Sequence, residues 1–168
     1  CLNLTTKTLM ALMDLPDSDR PVFEKARDDS ILILAQTREE FPEPRRSALW
    51  ERYISGNEFF RRLVEARRNS EARDIISTCA SARNPDGSFA LSTERIAMHL
   101  VEIAFAGTDT TAQAMANAIV FMAECPEAVR AAQADPALWQ NVFEETVRRR
   151  PSAPFAGRVT TREVEMGG

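Results

Sequence analysis

The chain has 168 residues, 44% of them hydrophobic and 27% charged, which suits one soluble globular domain with its own core. A net charge of −4 leaves no basic footprint for nucleic acid, and no run of about 18 apolar residues offers a membrane span. Three cysteines and one histidine without metal-ligand spacing exclude a disulfide framework or zinc site and suit a reducing, cytoplasmic setting.

The elements follow in chain order. Residues 2–15 carry apolar side chains at Leu2, Leu9, Met10, Leu12 and Met13, a helical pattern that ends in the turn Leu15-Pro16-Asp17-Ser18-Asp19. A second helix is expected from Phe23 to about Glu39, with Phe23, Ala26, Ile31, Leu34 and Ala35 inward, broken by Pro42 and Pro44. A third runs from Ser47 to about Arg68, its middle weakened by Gly56 and its inner face made of Leu49, Trp50, Tyr53, Phe60, Leu63 and Val64. The basic pairs Arg61/Arg62 and Arg67/Arg68 read as solvated helix faces. Met10, Met13, Phe59 and Phe60 read as core or lid packing.

A short helix over about 72–82 leads to Asn84-Pro85-Asp86-Gly87, a turn with a possible small hairpin through Leu91. Ser92 is the expected N-cap of the next helix, with Glu94 in its first turn. That helix runs to about Cys125, where Pro126 stops it; at 1.5 Å per residue it is roughly 48 Å long, a central spine. Residues 127–134 form a short helix. Asp135-Pro136 starts another that reaches about Arg149, because Pro151 pushes Arg150 out of the helical region. The tail alternates weakly around Val159, Thr161, Val164 and Met166 and reads as two short strands. The chain opens on Cys1, already in helical pattern, and stops at Met166-Gly167-Gly168, so both ends read as cuts through a longer protein.

The spine carries Phe105-Ala-Gly-Thr-Asp-Thr-Thr111 at its middle. Gly107 costs a helix about 1 kcal/mol relative to Ala. With Ala106 it leaves a shallow groove where something flat could lie against backbone. Thr110 and Thr111 can bond back to carbonyls one turn earlier, which bends helices and can open a gap for water. Asp109 adds an ionisable group beside that gap. Farther on, Glu145 and Arg148 lie three apart on one helical face, although Glu144 could pair with Arg148 equally well.

Residues 106–111 resemble the central-helix signature of the cytochrome P450 family, (Ala/Gly)-Gly-x-(Asp/Glu)-Thr-Thr. The family's Glu-x-x-Arg follows a few tens of residues later, and here 35 positions separate Thr110 from Glu145, with Pro151 soon after. The stretch from Gly157-Arg158 to Gly167 is similar to the family's Arg-x-(Ala/Thr)-x-x-Asp-x-x-x-Gly strand pair, with Glu163 where aspartate is usual. The helix, turn and helix entry over 75–94 also resemble those of soluble bacterial P450s.

The resemblance implies a mainly α fold: the middle portion of a P450 domain, with the long central helix and a short C-terminal β segment. It implies a haem-thiolate monooxygenase acting with O2 on an apolar organic substrate, fed electrons by a ferredoxin and its reductase or a similar donor. Asp109 and Thr110 would relay protons. Ala106, Gly107 and Thr110 would lie against haem, and Arg158 would meet a haem propionate. Glu145 and Arg148 would form a buried structural pair. Glu102, Phe105, Ala153 and Phe155 would line the substrate pocket, with His99 a satisfied helix histidine. The family's cysteine loop is expected beyond residue 168; none of the three cysteines here has its context, and the segment by itself is expected to be inactive. The alternatives are a non-enzymatic helical binding domain and a P450-fold isomerase or peroxygenase.

Overall fold

The computed structural model describes residues 1–35, 42–155, 157 and 160–165. Among them the chain forms seven α-helices: α1 (Leu2–Leu12), α2 (Arg20–Ala35), α3 (Arg45–Arg67), α4 (Ile75–Ser81), α5 (Thr93–Glu124), α6 (Pro126–Ala134) and α7 (Leu138–Arg149). They divide between two compact units, Cys1–Ala112 and Gln113–Gly168, and α5 contributes to both.

In the first unit, α1 ends earlier than the apolar pattern predicts because Asp14 turns left-handed at φ 51°. The Leu15 amide then donates to the Met10 carbonyl at 2.9 Å and the Asp14 amide to Ala11 at 3.1 Å. This closes the helix as a glycine usually does, and buries Leu15. A 3₁₀ turn at Asp17–Asp19 leads into α2; its expected end near Glu39 lies outside the described residues, as do the side chains of Leu34 and Ala35. Helices α2 and α3 pack where Gly56 faces Ala26: a Cβ at Gly56 would sit 3.0 Å from the Ala26 Cβ. Glycine here lets two helices approach, so the expected weak point is a packing device. Phe23, Phe60, Val64, Ile76, Leu100 and Ala104 form the sealed centre of the core. Trp50 departs from its expected inward place and is exposed. It sits 100° around α3 from buried Leu49, and rests edge-on against Tyr53 at 5.7 Å.

Polar groups also bind this unit together. Asp29 is fully buried between Arg52 of α3 and Lys25, whose Nζ donates at 2.9 Å. Arg27, also buried, donates to the Thr6 hydroxyl of α1 at 3.0 Å. Arg67 and Arg68 are not the solvated face that their charge suggests. Arg67 donates to the Met13 carbonyl at 2.6 Å, the Asp14 carbonyl at 2.8 Å and the Asp74 carboxylate at 2.6 Å. Arg68 donates to the carbonyls of Ala80 at 2.7 Å and Leu91 at 2.9 Å, and lies 4.0 Å over the Phe89 ring. These guanidiniums satisfy helix-end and loop carbonyls that have no intrahelical partner.

Asp74 caps α4 by accepting from the Ser77 amide at 3.0 Å. Burial pushes its pKa up, but the Ser77 hydroxyl and amide, then Arg67, outweigh that and hold it below the usual carboxylate value. Asp74→Ala is therefore expected to cost about 1–2 kcal/mol near neutral pH. The carboxylate is more acidic folded than unfolded, so its contribution is complete above about pH 4 and fades as pH falls through the lowered folded value. Denaturant midpoints of the two proteins should converge at acid pH.

Ser92 caps α5 as expected, accepting from the Arg95 amide at 3.2 Å. The turn before it places Gly87 at φ 84° and forms one isolated bridge, Arg83 to Phe89, short of a hairpin ladder. In the second unit, α6 and α7 pack with the end of α5 around an apolar cleft of about 220 Å³ lined by Phe121, Ala131, Leu138 and Val142. Asn117 donates to the Arg150 carbonyl at 2.7 Å while Arg150 grips both oxygens of Glu124 at 2.7 and 3.0 Å, fixing the exit from α7. The strands expected near the C-terminus do not form over residues 160–165, which are bends and coil. A strand exists only through its ladder, a lone hairpin is marginal, and the described residues offer this stretch no pairing strand. Arg158, Val159 and Met166 lie outside the described residues.

Candidate functional site

Helix α5 has two chemically different sides in the first unit. Ala97, Val101, Ala104 and Thr108 are sealed against the core. Opposite them, at spacings of three and four, His99, Glu102, Ala106 and Thr110 form an exposed stripe. The sequence-predicted residues Glu102, Ala106 and Thr110 thus share one open face.

Two of the motif threonines separate by position. Thr110 donates its hydroxyl to the Ala106 carbonyl at 2.7 Å on the open side. Thr108 does the same to Ala104 at 2.6 Å, but with no exposure at all. Burial of Thr108 was not readable from the motif; the signal was its four-residue step from Ala104 and seven-residue step from Val101. The back-bonds do not break the helix, which runs without interruption from Thr93 to Glu124. Carbonyl oxygens carry two lone pairs, so Ala104 and Ala106 can accept a hydroxyl and keep their place in the ladder.

Gly107 lies on a flank of the stripe. A Cβ added there would meet Leu9 Cδ2 of α1 at 3.4 Å, so its small size serves the α1 contact. Asp109 is half-buried, one residue and 100° away from Thr110, and shares its line along the helix with Glu102 two turns earlier. Phe105 is half-buried on the same flank as Asp109. His99 Nδ1 stands 3.1 Å from Glu102 Oε2, both side chains more than half exposed.

In the second unit, Arg148 clasps Glu145 with two parallel hydrogen bonds of 2.6 Å, Nε to Oε2 and Nη2 to Oε1. This settles the partner in favour of Glu145 over Glu144. The Arg148 hydrogen bond, then its charge, lowers the Glu145 pKa. In this chain 70% of the Arg148 and 41% of the Glu145 side chain is accessible. Both residues lie on the last turns of α7, and the described chain supplies no cover for them. Ala153 and Phe155 follow in coil and are exposed, Phe155 at 84%. Arg158 lies outside the described residues. Cys1 is exposed; Cys79 and Cys125 are half-buried, and Arg149 Nη1 lies 3.8 Å from the Cys125 sulfur. No described helix is long and apolar enough to cross a membrane.

A family model described as cytochrome P450 matches residues 6–168. Cytochrome P450 YjiB of Bacillus subtilis (strain 168) is 28% identical over 160 residues, covering 94% of this chain and 39% of its own. Cytochrome P450-terp of Pseudomonas sp is 26% identical over 166 residues, covering 95% of this chain and 38% of its own. The ligand-free structure of cytochrome P450 TbtJ1 aligns with a TM-score of 0.74 at 26% identity, over 98% of this chain and 42% of that one. The chain spans about two fifths of the length of these relatives. Because that model matches residues 6–168, a range that includes the α5 signature and the Glu145–Arg148 clasp, the chain belongs to the cytochrome P450 family.

Proposed function

We propose that the intact protein is a haem-thiolate monooxygenase that inserts one oxygen atom of O2 into an apolar organic substrate. The observation that carries this reading is the open face of α5, with Ala106 and Thr110 turned away from the core in a chain of a haem-dependent family. Ala106 carries nothing beyond Cβ and Gly107 carries no side chain. A flat macrocycle can therefore approach the backbone there, so the residues present fit one wall of a haem site. They do not supply its iron ligand: Cys79 belongs to α4 and Cys125 to the junction before α6, neither on the α5 stripe. When bound, haem with a thiolate ligand supplies the O–O cleavage chemistry.

This chain's residues then have separable roles. Ala106 and Gly107 admit the cofactor, and Arg158 is assigned to a propionate. Thr110 places a hydroxyl at the open face, and Asp109 connects that region to solvent. Glu102, Phe105, Ala153 and Phe155 contribute to the substrate wall. Glu145 and Arg148 hold a rigid carboxylate–guanidinium fork for chain supplied by the rest of the fold. Overall, one C–H bond becomes C–O–H and the second oxygen leaves as water, consuming two electrons and two protons. The electrons come from NAD(P)H through a ferredoxin-type donor in the cytoplasm.

Purification of the intact protein tests this. A Soret band, a thiolate-type carbon monoxide difference spectrum and product formation dependent on NAD(P)H and reductase are expected. A colourless protein after haem supplementation would overturn the reading; turnover with hydrogen peroxide alone would make it a peroxygenase.

A further inference from the structure

The turn before α5 holds an aspartate directly followed by a glycine, Asp86-Gly87, both exposed. Such a pair is prone to rearrangement, because a glycine has no side chain to crowd its amide nitrogen. Nothing lies within 4 Å of where a Gly87 Cβ would stand, so packing does not shield that nitrogen from the Asp86 carboxyl carbon. Attack forms an N–Cγ bond and breaks one Cγ–O bond. The released oxygen leaves as water, with the amide proton and the carboxyl proton. Water then opens the resulting succinimide. Opening at the main-chain carbonyl leaves Asp86 joined to Gly87 through its side chain, an isoaspartate with one extra methylene in the backbone.

The hydrogen bonds of the turn oppose the first step. The Gly87 amide donates to the Asn84 carbonyl at 3.0 Å, and Arg83 Nη1 donates to the Gly87 carbonyl at 2.9 Å. Both fix the peptide that would attack. Asp86 Oδ1 accepts from the Ser88 amide at 2.9 Å and the Ser88 hydroxyl at 2.6 Å, which ties the carboxylate to Ser88. Asn84 Nδ2 donates to the Ser88 Oγ at 3.0 Å and holds that hydroxyl in place. The Ser88 hydroxyl, then its amide, also keep the Asp86 carboxyl below its usual pKa. It therefore stays ionised, and an ionised carboxylate is a poor source of a leaving oxygen.

We propose that Asp86 is a site of isoaspartate formation held in check by Ser88. The location gives the modification a consequence. The Arg68 and Arg83 guanidiniums stand 4.0 and 4.2 Å over the Phe89 ring. Arg68 also donates to the Leu91 carbonyl at 2.9 Å, one residue before the Ser92 cap of α5. A lengthened backbone at residue 86 shifts Phe89 out of register with this clamp, so rearrangement is an ageing step that loosens the entry to α5.

The test ages the intact protein at neutral pH, folded and in guanidinium chloride. Isoaspartate at residue 86 is read by peptide mapping with isoaspartyl methyltransferase labelling. The folded wild type should form it about tenfold more slowly than the unfolded chain, or slower still, because the turn must open first. Ser88→Ala removes the hydroxyl and should raise the folded rate about threefold to tenfold, the worth of one hydrogen bond, with the unfolded rate unchanged. Ser88→Thr keeps the hydroxyl and should stay near wild type. Ser88 is exposed and outside the helices, so helix content by circular dichroism should be the same in all three proteins. Equal folded and unfolded rates in the wild type overturn the proposal, as does a folded Ser88→Ala that ages no faster than wild type.

Discussion

Replacing Thr110 by alanine in the intact protein is expected to leave NAD(P)H oxidation running while product per NAD(P)H falls by about tenfold or more. A positioned proton-transfer group contributes about 10²–10⁴-fold, and water entering the space left by the hydroxyl recovers part of that. Electrons not used on substrate should appear as hydrogen peroxide, since O2 with two electrons and two protons gives that product when no C–H bond is attacked. The structure argues that the effect is chemical. Thr110 is exposed, and its hydroxyl makes a hydrogen bond to Ala106 whose net worth is about 1 kcal/mol. Alanine's better helix propensity returns about half of it, so thermal stability should barely change. Thr108→Ala is the matched control. Thr108 makes the same back-bond from a fully buried position, so its loss should lower stability and spare coupling. Thr110→Ser, which keeps a hydroxyl, should retain most of the coupling. Unchanged product per NAD(P)H in Thr110→Ala would remove the residue from the proton path.

The main features of α5 were legible because each rests on local rules. Ser92 is a good cap, Pro126 a sure stop, and thirty-odd residues of helical pattern leave little choice. The Glu145–Arg148 pair follows from a three-residue step, although its exposure does not, because burial depends on chain that packs over it. The long-range arginines were illegible for the same physical reason. Arg67 and Arg68 look like solvent-facing charges in a linear reading, and only the fold brings the carbonyls of Met13, Asp14, Ala80 and Leu91 within reach. The left-handed Asp14 was missed because the usual stop signal is glycine, and asparagine or aspartate takes that conformation less often. The C-terminal strands do not form over residues 160–165, because weak alternation describes what a segment could do with a partner. It does not supply the partner. Local signals found the residues of the open stripe; the sealed opposite face, which shows that Thr110 rather than Thr108 points outward, required the fold.

Phe60→Ala should be the most damaging single truncation in the first unit, at about 3–5 kcal/mol. Phe60 is fully buried, with Phe23 edge-on at 6.3 Å and Phe59 at 5.1 Å. Its ring joins α3 to α2 just one turn after Gly56, where the two helices already approach as closely as a missing side chain allows. That close contact decides the size of the effect. Helices held together at Gly56 and Ala26, and clamped by Arg52 on buried Asp29, have little freedom to collapse into the space left by the ring, so most of the cavity should persist. Phe60→Leu keeps part of the volume and should cost less than half as much. If α2 and α3 could slide, the two substitutions would converge on the smaller value. The measurement is the denaturant midpoint of each variant at constant m-value. A loss under about 1.5 kcal/mol for Phe60→Ala would mean that the α2–α3 contact is not rigid.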